Sequence, residues 1–331
     1  MAGALGSCSS GSGGSGGGSG GTGLETALSH VADTPGNRAQ ISYDDTAALV
    51  RLSGTGLGTT KGFALLRGWG ASSLTQVMVT LASDTGINVF SEDYAISAGN
   101  PPQMLTLVHG GQSASLVTSR LTKLGWKAGG GMLTGPPLSG GSGNASNYAL
   151  QLQKVQASGA DVTVGQSGAD LGQIGSPSGP TLAGDPLISA LAACLGNVVA
   201  AQVQAGGDLG GGRNPVAVAV GVAAPASNAA TPHAVACVAW SSQADAAQYA
   251  AGARKALSSG VSVATNQRFS ALLSHPSVAS IGGSQHIVSW QADTPGRADL
   301  VFQMYLNRDL PGLPDCARMP PAARNRVIGC T

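Results

Sequence analysis

The sequence predicts a mixed fold of helices and strands, α/β or α+β, built on one or more mixed sheets. Three observations carry that expectation. Short apolar runs of strand length recur between Met104 and Ala239. Segments with cap residues and helical apolar spacing alternate with those runs. Glu and Lys number only 2 and 5 in 331 residues, and their scarcity argues against long exposed helices.

Leu24 to Val31 reads as a short helix closed by the turn Asp33-Thr34-Pro35-Gly36, and Arg38 to Tyr43 alternates as a strand. Asp44 or Asp45 suits the cap of a helix reaching Leu52. Gly54 to Gly62 is loop. Ser72 or Ser73 opens an apolar helix to Ala82, which Asp84-Thr85-Gly86 ends. Met104 to Val108 is an apolar strand running into His109-Gly110-Gly111. A helix follows from about Ser113, with Val117, Leu121 and Leu124 on one face and Gly125 as its stop. Gly129 to Asn147 reads as a long loop, and Val155 to Gly165 as a hairpin turning at Ser158-Gly159.

Asp185-Pro186 is a strong helix start, with Asp as cap and Pro in the first helical position. That helix runs to Gly196-Asn197 and buries Leu187, Leu191 and Cys194. Val198–Val203, Val216–Val222 and Ala234–Ala239 follow as strands. After Ser241-Ser242 comes an Ala-rich helix with Arg254 and Lys255 in its last turn, where cations suit the dipole.

Two internal echoes point to two similar lobes from a duplication. Strand, turn with Gln112 and helix (104–124) match strand, turn with Gln243 and helix (234–257). Ala32-Asp33-Thr34-Pro35-Gly36 recurs as Ala292-Asp293-Thr294-Pro295-Gly296, each copy ahead of an alternating strand, although Pro-Gly also suits any type II turn. The expected lobes are 24–130 and 131–315, meeting near residues 129–150, with 316–331 as a tail.

Composition narrows the function. With 42% hydrophobic residues a sizeable core forms, while only 10% are charged and the net charge is +1. No basic stripe exists to neutralise a run of phosphates, so nucleic acid is not an expected partner. No run of 18 apolar residues spans a bilayer. The segment Ser9 to Gly23 contains only Ser, Gly and one Thr. Such a chain has nothing to bury and is expected to act as a tether spanning about 20 Å.

Directly before the tether stands Leu5-Gly6-Ser7-Cys8. This tetrapeptide resembles the lipobox of bacterial lipoproteins of the actinobacterial type. The resemblance implies that Cys8 carries a diacylglycerol and anchors the protein extracytoplasmically to the outer face of the membrane. Residues 1–8 are then the remnant of a lipoprotein signal, too short and uncharged to be a whole leader. Four cysteines remain, Cys194, Cys237, Cys316 and Cys330, an even set that points to two disulfides. Cys194–Cys237 and Cys316–Cys330 are the favoured pairs, the second stapling the Pro-rich tail.

No catalytic constellation assembles from the sequence, and neither a metal nor a cofactor is expected. Gly54-Thr55-Gly56-Leu57-Gly58-Thr59 lacks the Gly-Lys-Ser/Thr of a phosphate loop. Gly165-Gln166-Ser167-Gly168-Ala169 approaches a nucleophile elbow but breaks at its last residue, with His275 or His286 as conceivable partners. The five His are isolated in the sequence. His109, at the end of an apolar strand beside two glycines, occupies a position where binding residues gather. Asp44-Asp45 and Glu92-Asp93 read as surface or cap residues, and Trp69, Trp126, Trp240 and Trp290 as residues at element ends, with Trp69 a candidate for stacking on a ligand. The expectation is a non-enzymatic envelope protein that binds a small molecule or a partner protein, with a hydrolase or a scaffold as alternatives.

Overall fold

A computed structural model describes residues 22–53, 62–137, 144–206, 215–227 and 230–314. Cys8, the tether up to residue 21, the glycine loop 54–59, Cys316 and Cys330 lie outside them. The last two residues assigned to the tether are part of the fold. Thr22 caps helix α1 (Gly23–Leu28) in a reciprocal capping box with Glu25.

Twelve strands form one sheet: β1 (Ile41–Asp44), β2 (Tyr94–Ala98), β3 (Leu105–His109), β4 (Lys127–Gly129), β5 (Met132–Thr134), β6 (Lys154–Ser158), β7 (Asp161–Gly165), β8 (Val198–Ala205), β9 (Ala217–Ala223), β10 (His233–Ala239), β11 (Ser274–Ile281) and β12 (Ile287–Asp293). Their spatial order is β11-β12-β10-β9-β8-β1-β2-β3-β7-β6-β5-β4. Every neighbouring pair is antiparallel. With helices on both faces, the fold is mixed and of the α+β kind.

The sheet contains a topological repeat. β1-β2-β3, helix α5 (Ala114–Lys123) and β6-β7 form one unit; β8-β9-β10, helix α8 (Gln243–Ser259) and β11-β12 form the other. In each unit the last strand inserts between the third and the fourth, giving the split βαβ arrangement. The units join edge to edge through β1 and β8, in register from Ile41↔Val203 to Asp44↔Ala200. The two units are halves of one sheet and divide between β7 and β8 rather than near residues 129–150, which fall within an insertion of the first unit. The echo of 104–124 in 234–257 covers equivalent positions, β3-α5 and β10-α8. The Pro-Gly echo does not. Thr34 caps helix α2 (Pro35–Ala39), with Pro35 in its first turn, so the first copy opens a helix rather than a turn and the strand starts only at Ile41. In the second copy Gly296 has φ +74° and the Arg297 N–H bonds the Thr294 carbonyl, a turn that follows β12 and leads into a helix, α10 (Leu300–Leu306), not a strand.

Two helical layers cover the sheet. One face carries α1, α2 and α7 (Pro186–Leu195), packed on the inward residues of β1, β2 and β8 to β10. The other carries α3 (Thr46–Ser53), α4 (Met78–Thr85), α5, α6 (Asn144–Gln151), α8, α9 (Phe269–Leu272) and α10. Several expectations shift by a turn. Ser72 and Ser73 lie in a 3₁₀ turn, and α4 starts at Met78 before Gly86 stops it at φ +80°. The supposed loop 129–147 holds a hairpin, β4-β5, turning on Gly130 and Gly131 at φ +61° and +78°, and the start of α6. α7 buries Ile188, Leu191, Ala192 and Leu195, with Leu187 and Cys194 at the edge of that stripe. α8 continues to Ser259, so Arg254 and Lys255 sit above its last turn. Cys194 and Cys237 form a disulfide that ties α7 to β10, Cα to Cα 6.3 Å.

Candidate functional site

The unit formed by β3, β7 and β6 leaves part of its α1 face open as a cavity of about 320 Å³. Leu107, Leu171 and Ile174 supply apolar surface, while His30, Gln156, Asp161 and Thr163 supply polar groups. The segment after β7 arches over it through a 3₁₀ turn, Leu171–Gln173, whose cap is Asp170. Gly175 brings that arch close to the sheet: its φ is +88°, and a Cβ there would meet Thr163 Cγ2 at 3.3 Å. Mixed lining and this volume are the usual marks of a small-molecule site.

At one end of the cavity three rings gather from three elements. Tyr94 at the start of β2 stacks on His109 at the end of β3, centroids 4.5 Å apart. His109 stacks in turn on His30, which follows α1, at 5.8 Å. Cross-strand pairing of Tyr94 with His109 brings the first two together. Asp161, opening β7, accepts the Gly110 N–H at 2.9 Å and lies 3.1 Å from His109 Nδ1, close enough for an ion pair but off the line of a hydrogen bond. Burial, reinforced by the charges of Asp161 and Asp93, holds the Tyr94 hydroxyl well above its ordinary pKa.

His30 has a determined tautomer. Its Nδ1 lies 2.6 Å from the Gly175 carbonyl oxygen, which accepts only, so Nδ1 carries a proton. In the neutral ring Nε2 is then a bare acceptor.

Compared with protein families, curated proteins and solved structures, the chain matches none.

The remaining sequence candidates separate. Ser167 follows β7, whereas His286 directly precedes β12 and His275 lies within β11, one strand farther out. Six strands intervene between β7 and β12, seven spacings of about 4.8 Å or roughly 34 Å across the sheet, so these residues form no hydrolytic set. Trp69 packs against Phe302 with ring centroids 4.4 Å apart and planes tilted by 40°, so the ring has an internal aromatic partner. Trp290 lies mid-strand and fully buried rather than at an element end. The isolated His pair up: besides His30 with His109, both His233 and His275 place Nδ1 2.8 Å from the Asp293 carboxylate. Those contacts, His233 first, hold Asp293 below its ordinary pKa. Among the described residues no group of three His, Cys, Asp or Glu suits a metal ion.

Sequence reasoning missed a buried polar seam on the opposite face, where β1 and β2 meet. Asp45 does cap α3, accepting the Ala48 N–H at 2.7 Å. Asp44 and Glu92, however, are neither surface nor cap residues but buried neighbours. Thr46 Oγ1 lies 2.7 Å from Asp44 Oδ2 and 2.8 Å from Glu92 Oε1. A hydroxyl has one proton to donate, so both contacts are full hydrogen bonds only when one carboxyl is protonated and donates to Thr46. Burial pushes Asp44 up to about 7 despite hydrogen bonds from Thr46, Gly70 and Gly68, and pushes Glu92, also repelled by Asp44, up to about 8. Nothing local in the sequence marks this pair, since 46 residues separate Thr46 from Glu92.

Proposed function

We propose that the protein is a lipid-anchored, extracytoplasmic binding protein of the cell envelope, holding a small molecule in the cavity between β3, β7, β6 and the 171–176 arch. One observation carries the binding part: a 320 Å³ cavity with an apolar wall and convergent polar groups from His30, Asp161 and Thr163. The Cys194–Cys237 disulfide supports an oxidising compartment, and Cys8 with its Gly/Ser tether supports attachment by acylation.

Two measurements test the two halves. Native mass spectrometry of the full chain, incubated with a low-molecular-weight extract of bacterial envelope, is expected to reveal a retained adduct. Thr163→Phe, which fills the cavity from its floor, should lose it. An adduct held equally by that variant, or none at all, rules the cavity out as the binding site. For the anchor, cells fed labelled fatty acid should label the protein in a Cys8-dependent way; label persisting in Cys8→Ser refutes acylation there.

A further inference from the structure

Resting on the binding reading above, we propose that the ligand of this cavity presents a protonated amine on an apolar body, with the ammonium seated between Asp161 and His30. Among the described residues that line the cavity none is Lys or Arg, and Asp161 is the only ionisable acid. Asp161 commits one oxygen, Oδ1, to the Gly110 N–H and to His109. The other carboxylate oxygen makes no hydrogen bond among the described residues. His30 spends its Nδ1 proton on Gly175, which leaves Nε2 of the neutral ring as an acceptor on a residue that lines the cavity. The two groups best placed to orient a ligand are thus both acceptors, one of them anionic. A carboxylate or phosphate ligand would meet Asp161 with like charge, and no Lys or Arg among the described lining residues offsets it. A neutral alcohol supplies one donor where an ammonium supplies three together with its charge.

The surroundings favour the same sign. Asp93 stands beside the same corner, where a Cβ on Gly110 would overlap its carboxylate. Asp93 and Asp161 together act on Tyr94, the ring beneath His109. Leu107, Leu171 and Ile174 offer the apolar wall that a small aliphatic or aromatic body needs. Asp161 is 41% exposed on its side chain, so water screens the pair and charge acts here mainly as a selector between ligand classes.

The test uses three probes of nearly equal shape, benzylamine, benzyl alcohol and benzoate, titrated into the full chain at pH 7 by calorimetry. Benzylamine is expected to bind at least about tenfold tighter than either isostere. Asp161→Asn, which keeps an acceptor for Gly110, should remove that preference, bringing benzylamine to within about threefold of benzyl alcohol. If benzoate or benzyl alcohol binds as well as benzylamine, the amine assignment falls and the cavity remains a binding site for another class. If benzylamine binds to Asp161→Asn as it does to the parent, the assignment of the ammonium to Asp161 falls. If none of the three binds, the cavity reading itself falls and takes the amine with it. The selectivity of the parent protein decides the matter even where a variant fails to fold.

Discussion

At the scale of residues, the shared proton of Asp44, Thr46 and Glu92 has a thermodynamic consequence. Both carboxyls bind protons more tightly folded than unfolded, with values of about 7 and about 8 against ordinary values near 4. The folded state therefore holds protons that the unfolded state has released, and stability falls as pH rises between about 4 and about 8. The stabilising contribution is fully present below about pH 4 and gone above the folded values. Melting temperature followed over that range should decline, and Glu92→Gln, neutral at every pH, should flatten the decline. A parent whose stability rises steadily through the same window would contradict the shared proton. Thr46→Val leaves the two carboxyls without their bridge and is expected to cost about 1–3 kcal/mol in chemical denaturation. None of this chemistry was legible in the sequence. A Thr, an Asp and a Glu become partners only because β1 and β2 pair in the register Asp44↔Ala95. The cavity groups share that origin: His30, His109 and Asp161 lie on three elements that sequence spacing alone does not join.

At the scale of elements, caps and stops were the readable part. Ser113, Asp185-Pro186, Ser242, Gly86 and Gly125 all do what their chemistry demands, because a cap acts within four residues of its own position. The hairpin turn at Ser158-Gly159 is local in the same sense, with Gly159 at φ +60°. What failed was the phase of α7 and the C-terminal end of α8, which packing decides. Asp185 tests the local rule. Its Oδ1 accepts the N–H groups of Leu187 and Ile188, both at 2.9 Å, and its Oδ2 lies 3.2 Å from Arg38. Asp185→Ala should destabilise by about 1–2 kcal/mol, and Asp185→Asn, which keeps the cap and loses the ion pair, by clearly less. Equal losses in urea titrations would assign the effect to the ion pair instead. The disulfide works over a longer span: it closes 43 residues of chain between α7 and β10. Reduction should cost about 4 kcal/mol by chain entropy, seen as a lower denaturation midpoint with dithiothreitol; an unchanged midpoint would rule that contribution out.

At the scale of the whole molecule, the repeat and the cores divide the chain differently. Topology gives two five-strand units, but the apolar cluster under α1 and α7 takes Ile41, Ile96 and Leu107 from the first and Val203, Ala219 and Val235 from the second. The cluster on the opposite face likewise joins Leu49, Phe63 and Leu66 to β9, β10 and β12. A buried hydrogen bond of 2.8 Å from Ser42 to Gln202 spans the junction of β1 and β8. Both large cores therefore lie across the seam, and only the cluster under α4, α5 and α6 belongs wholly to the first unit. The outer strands are poorer: β4 is exposed along its whole length and β11 at most positions. Opening should begin at these edges and end at the seam, because the free energy of local opening follows the burial around each strand. Amide hydrogen exchange is expected to be slowest in β1, β8, β9 and β10 and fastest in β4 and β11. If protection instead peaks twice, once within each unit, with β1 and β8 exchanging early, the units fold as independent lobes and the seam is an interface rather than a core.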